Sequence, residues 1–310
     1  MYYSPAPLHI PDGFLSFTVS ILCWVLTAVT LSLAISRSNK SLGERQIPLI
    51  GIMAAFIFAA QMINFPVAGG TSGHLLGGTL AAITLGPWAG MLVMTAVIAV
   101  QALLFQDGGL LVMGANILNM GLITVAIGYG LYRGVPVQNR TLKLTVAGIA
   151  AWLSVMAGAL FTSLQLWLSG TSQLQIVIPA MLSVHALIGI GEALITVAAL
   201  TFILQTRPDL LGKSSASAQG SRGWVVAGVL ISLAVILLSP LASADPDGLN
   251  RVATELGFMN TAQTRMGPLS GYTVPLLESA AISRIAAGAI GLAVVGVIIA
   301  LLGQGLKAKS

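Results

Sequence analysis

The chain has 310 residues, of which 56% are hydrophobic and only 7% are charged, and its mean hydropathy is +0.94. A soluble domain carries about 25% charged residues, so this composition excludes a soluble protein and predicts an all-α integral membrane protein. The single cysteine, Cys23, excludes an intramolecular disulfide and a cysteine-based metal cage. The net charge of +5 does not indicate a nucleic-acid partner, because the basic residues sort by membrane side.

Nine apolar runs predict the membrane helices in chain order, since about 20 apolar residues cross a bilayer. The third run, "HLLGGTLAAITLG", is short and rich in glycine, so it predicts either a full span or a half-helix that does not cross. The runs are 15–36, 46–63, 74–86, 88–106, 110–132, 144–168, 177–204, 223–241 and 283–303.

The basic residues predict the orientation of these spans. Eleven of the fourteen follow odd-numbered spans and fall on one side if the spans alternate: Arg37, Lys40, Arg45, Arg133, Arg140, Lys143, Arg207, Lys213, Arg222, Lys307 and Lys309. The predicted location is the cell (inner) membrane. The positive-inside rule then places the C-terminus in the cytoplasm and the N-terminus on the outer side. Omitting the third run would break the alternation, so the charges favour counting it.

The organisation predicted from these runs has three parts. A core of about seven spans occupies residues 8–206, a Ser/Gly-rich basic linker occupies 207–223, and a two-span module occupies 224–310. The outer loop of that module, 242–282, is predicted to be partly helical, with Asp247 or Asn250 as its N-cap.

Polar groups at membrane depth are costly, so each is a candidate functional residue. The sequence offers His9, Asp12, Asn64, Thr71, Ser72, His74, Gln101, Asp107, Asn116, Asn119, His185 and Glu192. No nucleotide-binding motif occurs in the chain, so active transport would need a separate ATPase or an ion gradient.

Two of the three histidines, His9 and His74, are predicted on the same outer face. Imidazole is a ligand that suits Ni, Co, Cu and Zn, and the glycines before His74 allow the backbone to approach a ligand closely. The alternative is that His9 is a loop residue and His74 a helix cap. For His185 and Glu192, two turns apart on one helix, and for Asn116 and Asn119, contacts between helices or around the ligands are favoured over metal ligation.

Four stretches resemble the metal-specific, substrate-binding membrane component of cobalt/nickel energy-coupling factor transporters. They are "HIPDGFLS", "NFPVAGGTSGHLLGG", "FQDGGLLVMGANILNMG" and "HALIGIGEALIT". "DPDGL" in the tail resembles the small accessory membrane subunit of such systems, although that motif usually ends in Glu and here ends in Asn250. The resemblance implies no bound cofactor, transported Ni²⁺ or Co²⁺ as substrate, and two kinds of partner: a transmembrane coupling subunit and cytoplasmic ATPase subunits.

The resemblance also implies the metal ligands, His9 and His74, with Asp12, Asn64, Ser72, Asn116, His185 and Glu192 as candidates around them. In the family the chain starts Met-His-Ile-Pro-Asp-Gly, and the terminal amine, the His amide nitrogen and its imidazole are donors. Here Leu8 and seven further residues precede His9. We expect the functional chain to begin at residue 8, with Leu8 read as the initiator Met; the alternatives are removal of the extension or a different metal site. His9 is then expected to coordinate through Nδ1 and His74 through Nε2.

The tail has no histidine, so the sequence predicts that removing it leaves metal affinity nearly unchanged and lowers uptake. The resemblance of the fused tail to the accessory subunit favours nickel over cobalt as the transported substrate. The alternative function is an ion-gradient-driven solute carrier, or a membrane enzyme, whose histidines have structural roles.

Overall fold

The computed structural model describes residues 8–41, 47–135, 139–206, 223–263 and 267–307. The predicted linker, apart from residue 223, and residues 1–7 lie outside these ranges. The helices are α1 Phe17–Ser41, α2 Ile47–Gln61, α3 Gly78–Leu85, α4 Pro87–Val100, α5 Met113–Asn116, α6 Thr124–Arg133, α7 Arg140–Leu168, α8 Leu174–Thr206, α9 Gly223–Leu238, α10 Gly248–Glu255 and α11 Ala280–Lys307. Two strands, β1 Phe65–Val67 and β2 Thr71–Gly73, pair in antiparallel fashion.

The described part of the chain confirms an all-α membrane protein. Six of its helices are long and apolar enough to cross a bilayer, and they include α4 extended by a π-helical turn to Phe105 and a continuous helix from Met113 to Arg133. Two predicted runs, 46–63 and 223–241, form shorter apolar helices of 10–17 residues. The small strand pair was not predicted, because three-residue strands leave too little alternation to detect.

The third apolar run forms only the eight-residue α3. At 1.5 Å per residue α3 is about 12 Å long, too short to cross a bilayer core of about 30 Å. The chain nevertheless passes from one end of the bundle to the other here. His74 precedes α3 and lies beside His9, whereas Trp88 follows it and lies under the Arg37 guanidinium, 5.6 Å from the ring centroid. A half-helix therefore preserves the alternation of the basic residues.

The C-terminal module packs against the core through α2, which contacts both α9 and α11. Gly291 of α11 allows this approach, because a Cβ at that position would lie only 2.1 Å from the Phe58 ring. Phe58, Phe105 and Met62 are fully buried at this junction. Apolar contacts therefore join the two parts inside the membrane.

The outer loop of the module lies against the segment before α1 and against strand β2 of the core. Asp247 is the N-cap of α10, where its carboxylate accepts the Asn250 N–H at 2.8 Å. This confirms Asp247 over Asn250 as the cap. The Ser72 N–H donates to the Pro246 carbonyl at 2.9 Å, and the Gln263 N–H donates to the Asp12 carbonyl at 2.7 Å. The loop is thus hydrogen-bonded to the segments that carry His9 and His74.

Candidate functional site

The segment before α1 is held inside the protein by two side chains. Asp12 accepts the N–H groups of Leu110, Leu111 and Val112 at 3.2, 2.9 and 3.2 Å. Asn116 behaves like a strand neighbour: its Oδ1 accepts the Ile10 N–H and its Nδ2 donates to the Ile10 carbonyl, both at 3.0 Å. Both side chains are committed to backbone groups, so they position the segment and are not aimed at a ligand.

Glycine in the "FQDGG" motif makes this close approach possible. Gly108 has φ +103°, and a Cβ there would lie 2.8 Å from Asn116 Nδ2 and 3.0 Å from His9 Cβ. A Cβ on Gly109 would lie 2.2 Å from the Asp12 carboxylate. Side chains at these positions would push the His9 segment out of the site.

The hydrogen bonds of Asp12 and Asn116, called here the Asp12–Asn116 clamp, hold His9 against His74. The two ring centroids are 5.5 Å apart with an interplanar angle of 58°, and both side chains are buried. Nδ1–H of His9 donates to the Asp107 carbonyl at 3.1 Å, and Nδ1–H of His74 donates to the Leu75 carbonyl at 3.0 Å. Nε2 of His9 is buried and has no hydrogen-bond partner in the described ranges. Coordination through His9 Nδ1 remains a prediction, and it requires His9 to release the Asp107 carbonyl.

Glu192 sets the position of the His74 segment from α8. Its two carboxylate oxygens accept the Leu76 and Gly77 N–H groups at 2.6 and 2.9 Å. These amides lie at the start of α3, where backbone donors have no helical partner and favour a negative group. Glu192 of α8 therefore bonds the backbone directly before α3.

A cavity of about 70 Å³ adjoins the two histidines. Leu8, His9, His74, Asn116 and His185 form part of its wall, and the C-terminal module contributes Asp247, Gly248 and Leu249. His185 Nδ1–H donates to the Met181 carbonyl at 2.7 Å. Within the described ranges, no three His, Cys, Asp or Glu side chains group as a metal site.

Two of the predicted neighbours lie elsewhere. Ser72 donates its hydroxyl to the Asp245 carbonyl at 2.7 Å, and the Asn64 carbonyl accepts the Ser243 N–H at 2.8 Å. Both therefore bind the outer loop of the module and do not line the cavity. Sequence reasoning missed the module's part in the wall, although "DPDGL" marked Asp247, and it missed Asp107 as the partner of His9.

Burial sets the protonation of His74. Desolvation, aided by the neighbouring His9, lowers the pKa of His74 to about 4. The imidazole is therefore neutral at physiological pH, which is the form that binds metals.

Comparison with known proteins identifies the family of the chain. Residues 9–210 match the family described as the cobalt uptake substrate-specific transmembrane region, and residues 222–308 match the PDGLE domain. The chain belongs to the cobalt uptake substrate-specific family. Its C-terminal module is a PDGLE domain, and the two matches follow one another as in a fusion.

Several relatives of the family cover most of the chain. A protein of Archaeoglobus fulgidus named as a fused nickel transport protein is 35% identical over 93% of this chain and 95% of its own. A protein of Lactiplantibacillus plantarum, also named as a fused nickel transport protein, is 35% identical over 76% of this chain and 74% of its own. A cobalt transport protein of Geobacter sulfurreducens is 30% identical over 70% and 65%.

Two solved structures share the fold over about two thirds of this chain. The crystal structure of a transition metal transporter is 34% identical, with a TM-score of 0.58, and covers 68% of this chain and all of its own. The crystal structure of a truncated transition metal transporter is 35% identical, with a TM-score of 0.57, and covers 64% of this chain and 98% of its own. The chain is thus a multi-pass membrane protein of a metal transport family.

The outer loop provides a prediction for pH. Burial, together with the Asp107 charge, raises the pKa of Asp247 to about 8, although the Asn250 N–H opposes the shift. Between the ordinary carboxyl value of about 3.8 and about 8, the folded chain therefore holds a proton that the unfolded chain releases. We expect the metal-free protein to lose stability as the pH rises through this window, measured by thermal unfolding in detergent. Asp247→Asn keeps a capping side chain and should flatten the dependence; an equally steep profile in the variant would refute the assignment.

Proposed function

We propose that this protein captures Ni²⁺ or Co²⁺ outside the cell as the substrate-specific component of an ATP-driven uptake transporter. The observation that carries this proposal is the buried pair His9 and His74, with ring centroids 5.5 Å apart beside a cavity. Neutral imidazoles suit borderline metal ions such as nickel and cobalt. The family match supports the same chemistry.

The remaining donors are proposed to be nitrogens of the segment that the Asp12–Asn116 clamp holds. Leu8 lines the cavity, and the His74 ring interacts with its backbone. If the functional chain begins at Leu8, its amine and the His9 amide join the two imidazoles in a four-nitrogen set. Four nitrogens in one plane suit square-planar Ni(II).

The proposed partners are a transmembrane coupling subunit and cytoplasmic ATPase subunits that supply the energy for uptake. The family match supports them, and the sequence has no nucleotide-binding motif of its own. The proposed membrane is the cell (inner) membrane, with residue 8 outside and the C-terminus in the cytoplasm. In support, Arg37, Arg133 and Lys143 lie next to aromatic rings at helix ends, away from the histidines.

Nickel is the proposed preferred substrate. The relative that matches 93% of the chain at 35% identity is named for nickel transport, whereas the cobalt-named relatives match 66–70% of the chain. The proposed domains are the metal-binding core 8–206, the linker 207–223 and the accessory module 224–310.

The function is tested by metal content. Protein expressed with equal Ni²⁺ and Co²⁺ and purified without chelators is expected to hold one metal ion per chain, mostly nickel, by elemental analysis. A protein that contains neither metal, or that drives uptake by an ion gradient without ATPase partners, would support the alternative of a solute carrier.

A further inference from the structure

Asp107 connects the predicted metal donors to the C-terminal module. Its Oδ1 accepts the Leu8 N–H at 2.7 Å, and its backbone carbonyl accepts Nδ1–H of His9 at 3.1 Å. Its other carboxylate oxygen accepts the hydroxyl of Tyr272 at 2.6 Å. Asp107 of the core therefore occupies two of the three proposed donor nitrogens of the N-terminal segment and is itself held by the outer loop of the module.

This contact is built into the protein interior. Asp107 and Tyr272 are both buried, and the Tyr272 ring stacks on Phe105 with centroids 4.7 Å apart and planes at 21°. Burial, and then the Asp107 charge, raise the pKa of Tyr272 well above its ordinary value, so its hydroxyl stays protonated and donates. Arg284 of the module also interacts electrostatically with Asp107. A buried carboxylate requires such partners, because desolvating an unpaired charge is costly.

The backbone is strained on both sides of the contact. Among the described residues, the non-glycine positions with positive φ are Gln106 and Tyr272, both at 58°. Gln106 directly precedes Asp107, and Tyr272 bonds to it. A bulky residue in this conformation persists only where its surroundings fix it, and such positions cluster at functional sites. Gln106 ends the π-helical turn Gln101–Phe105, where a left-handed residue is common, so it is the conformation of Tyr272 that points to a role for the contact beyond packing.

We propose that Tyr272 is a positioning residue for metal binding, and that the C-terminal module acts on the metal site through its bond to Asp107. The proposal rests on the function proposed above. When Ni²⁺ takes Nδ1 of His9, that nitrogen gives up its proton and its hydrogen bond to the Asp107 carbonyl. An amine of Leu8 on the metal keeps its N–H groups, and the cation makes them stronger donors to the Asp107 carboxylate. The Tyr272 hydroxyl holds that carboxylate in place, so it stabilises the loaded state more than the empty one and shifts the equilibrium toward loading.

The test is Tyr272→Phe in the full-length protein, purified in detergent and titrated with Ni²⁺ against a chelating dye. The variant keeps the stacked ring and loses the hydroxyl. We expect binding to weaken about threefold to tenfold, the size of one hydrogen bond, with slower association in stopped-flow mixing. The visible absorption of bound Ni²⁺ should also change, because the Leu8 nitrogen that the Asp107 carboxylate accepts is held less firmly, and a residue that only packs would not alter it.

Two further variants separate the hydroxyl from packing and folding. Phe105→Leu removes the stacking and keeps the hydroxyl, so it should bind nickel nearly as the wild type does. In an Asp107→Asn background, Tyr272→Phe should have a much smaller effect, because coupled residues are not additive. Equal affinity and absorption in Tyr272→Phe and wild type, or full additivity with Asp107→Asn, would overturn the inference. A wild-type protein that binds no nickel would instead overturn the proposed function.

Discussion

His74→Ala is expected to abolish tight nickel binding. The substitution removes one of two buried imidazoles whose ring centroids lie 5.5 Å apart, and the part of the chain that the structure describes groups no three His, Cys, Asp or Glu side chains to replace it. Losing even a hydrogen-bond partner of a metal ligand typically costs about 10- to 100-fold in affinity, so loss of the ligand should cost more than about 100-fold. His9→Ala should have the same effect, because the two imidazoles are proposed to share one ion.

The matched control is His185→Ala. It removes the third imidazole of the chain, which lines the same cavity but bonds to the Met181 carbonyl. Metal content by elemental analysis and affinity by competition should remain near the wild-type values. Tight binding retained in His74→Ala or in His9→Ala would refute a shared site, and loss confined to His185→Ala would move the site along the cavity.

Truncation after residue 206 is expected to reduce nickel uptake at least about tenfold in cells that contain the partner subunits. The core should still fold, because residues 9–210 match a family region of their own, separate from the module, and lipid can replace the apolar contacts of α9 and α11. Lipid cannot replace the hydrogen bonds that the module makes to Ser72, Asp12 and Asp107. We therefore expect faster metal dissociation and an affinity about tenfold lower, equivalent to about 1.4 kcal/mol.

This expectation differs from the prediction drawn from sequence, and the truncation experiment decides between them. Absence of histidine in the tail predicts an unchanged affinity, whereas the structure places Asp247, Gly248 and Leu249 in the cavity wall. The control is to supply residues 207–310 as a separate chain, which should restore slow dissociation if contacts and not the linker are responsible. Identical affinity and dissociation in the truncated protein would show that the module contributes only packing at the metal site.

The sequence by itself determined the class, the family and the proposed metal chemistry. Apolar runs are local properties, so membrane helices could be predicted from residue composition alone. The glycines around His74 and Asp107 predict that the backbone there packs closely against other groups. Gly108 is an example, because a Cβ added at this position would collide with His9 and Asn116. The capping role of Asp247 was also local and could be predicted as one of two alternatives.

Only the tertiary structure decided which distant residues meet. Ser72 and Asn64 lie in the same motif as His74, yet they bind the outer loop of the module, while Tyr272 reaches Asp107 across 165 residues of chain. Periodicity and composition report on neighbours along one helix, and they carry no signal for a contact that forms when two helical units pack. The choice between a full span and a half-helix for the third run was left open for the same reason, because the residues before α3 are held by a contact with Glu192 of the distant α8.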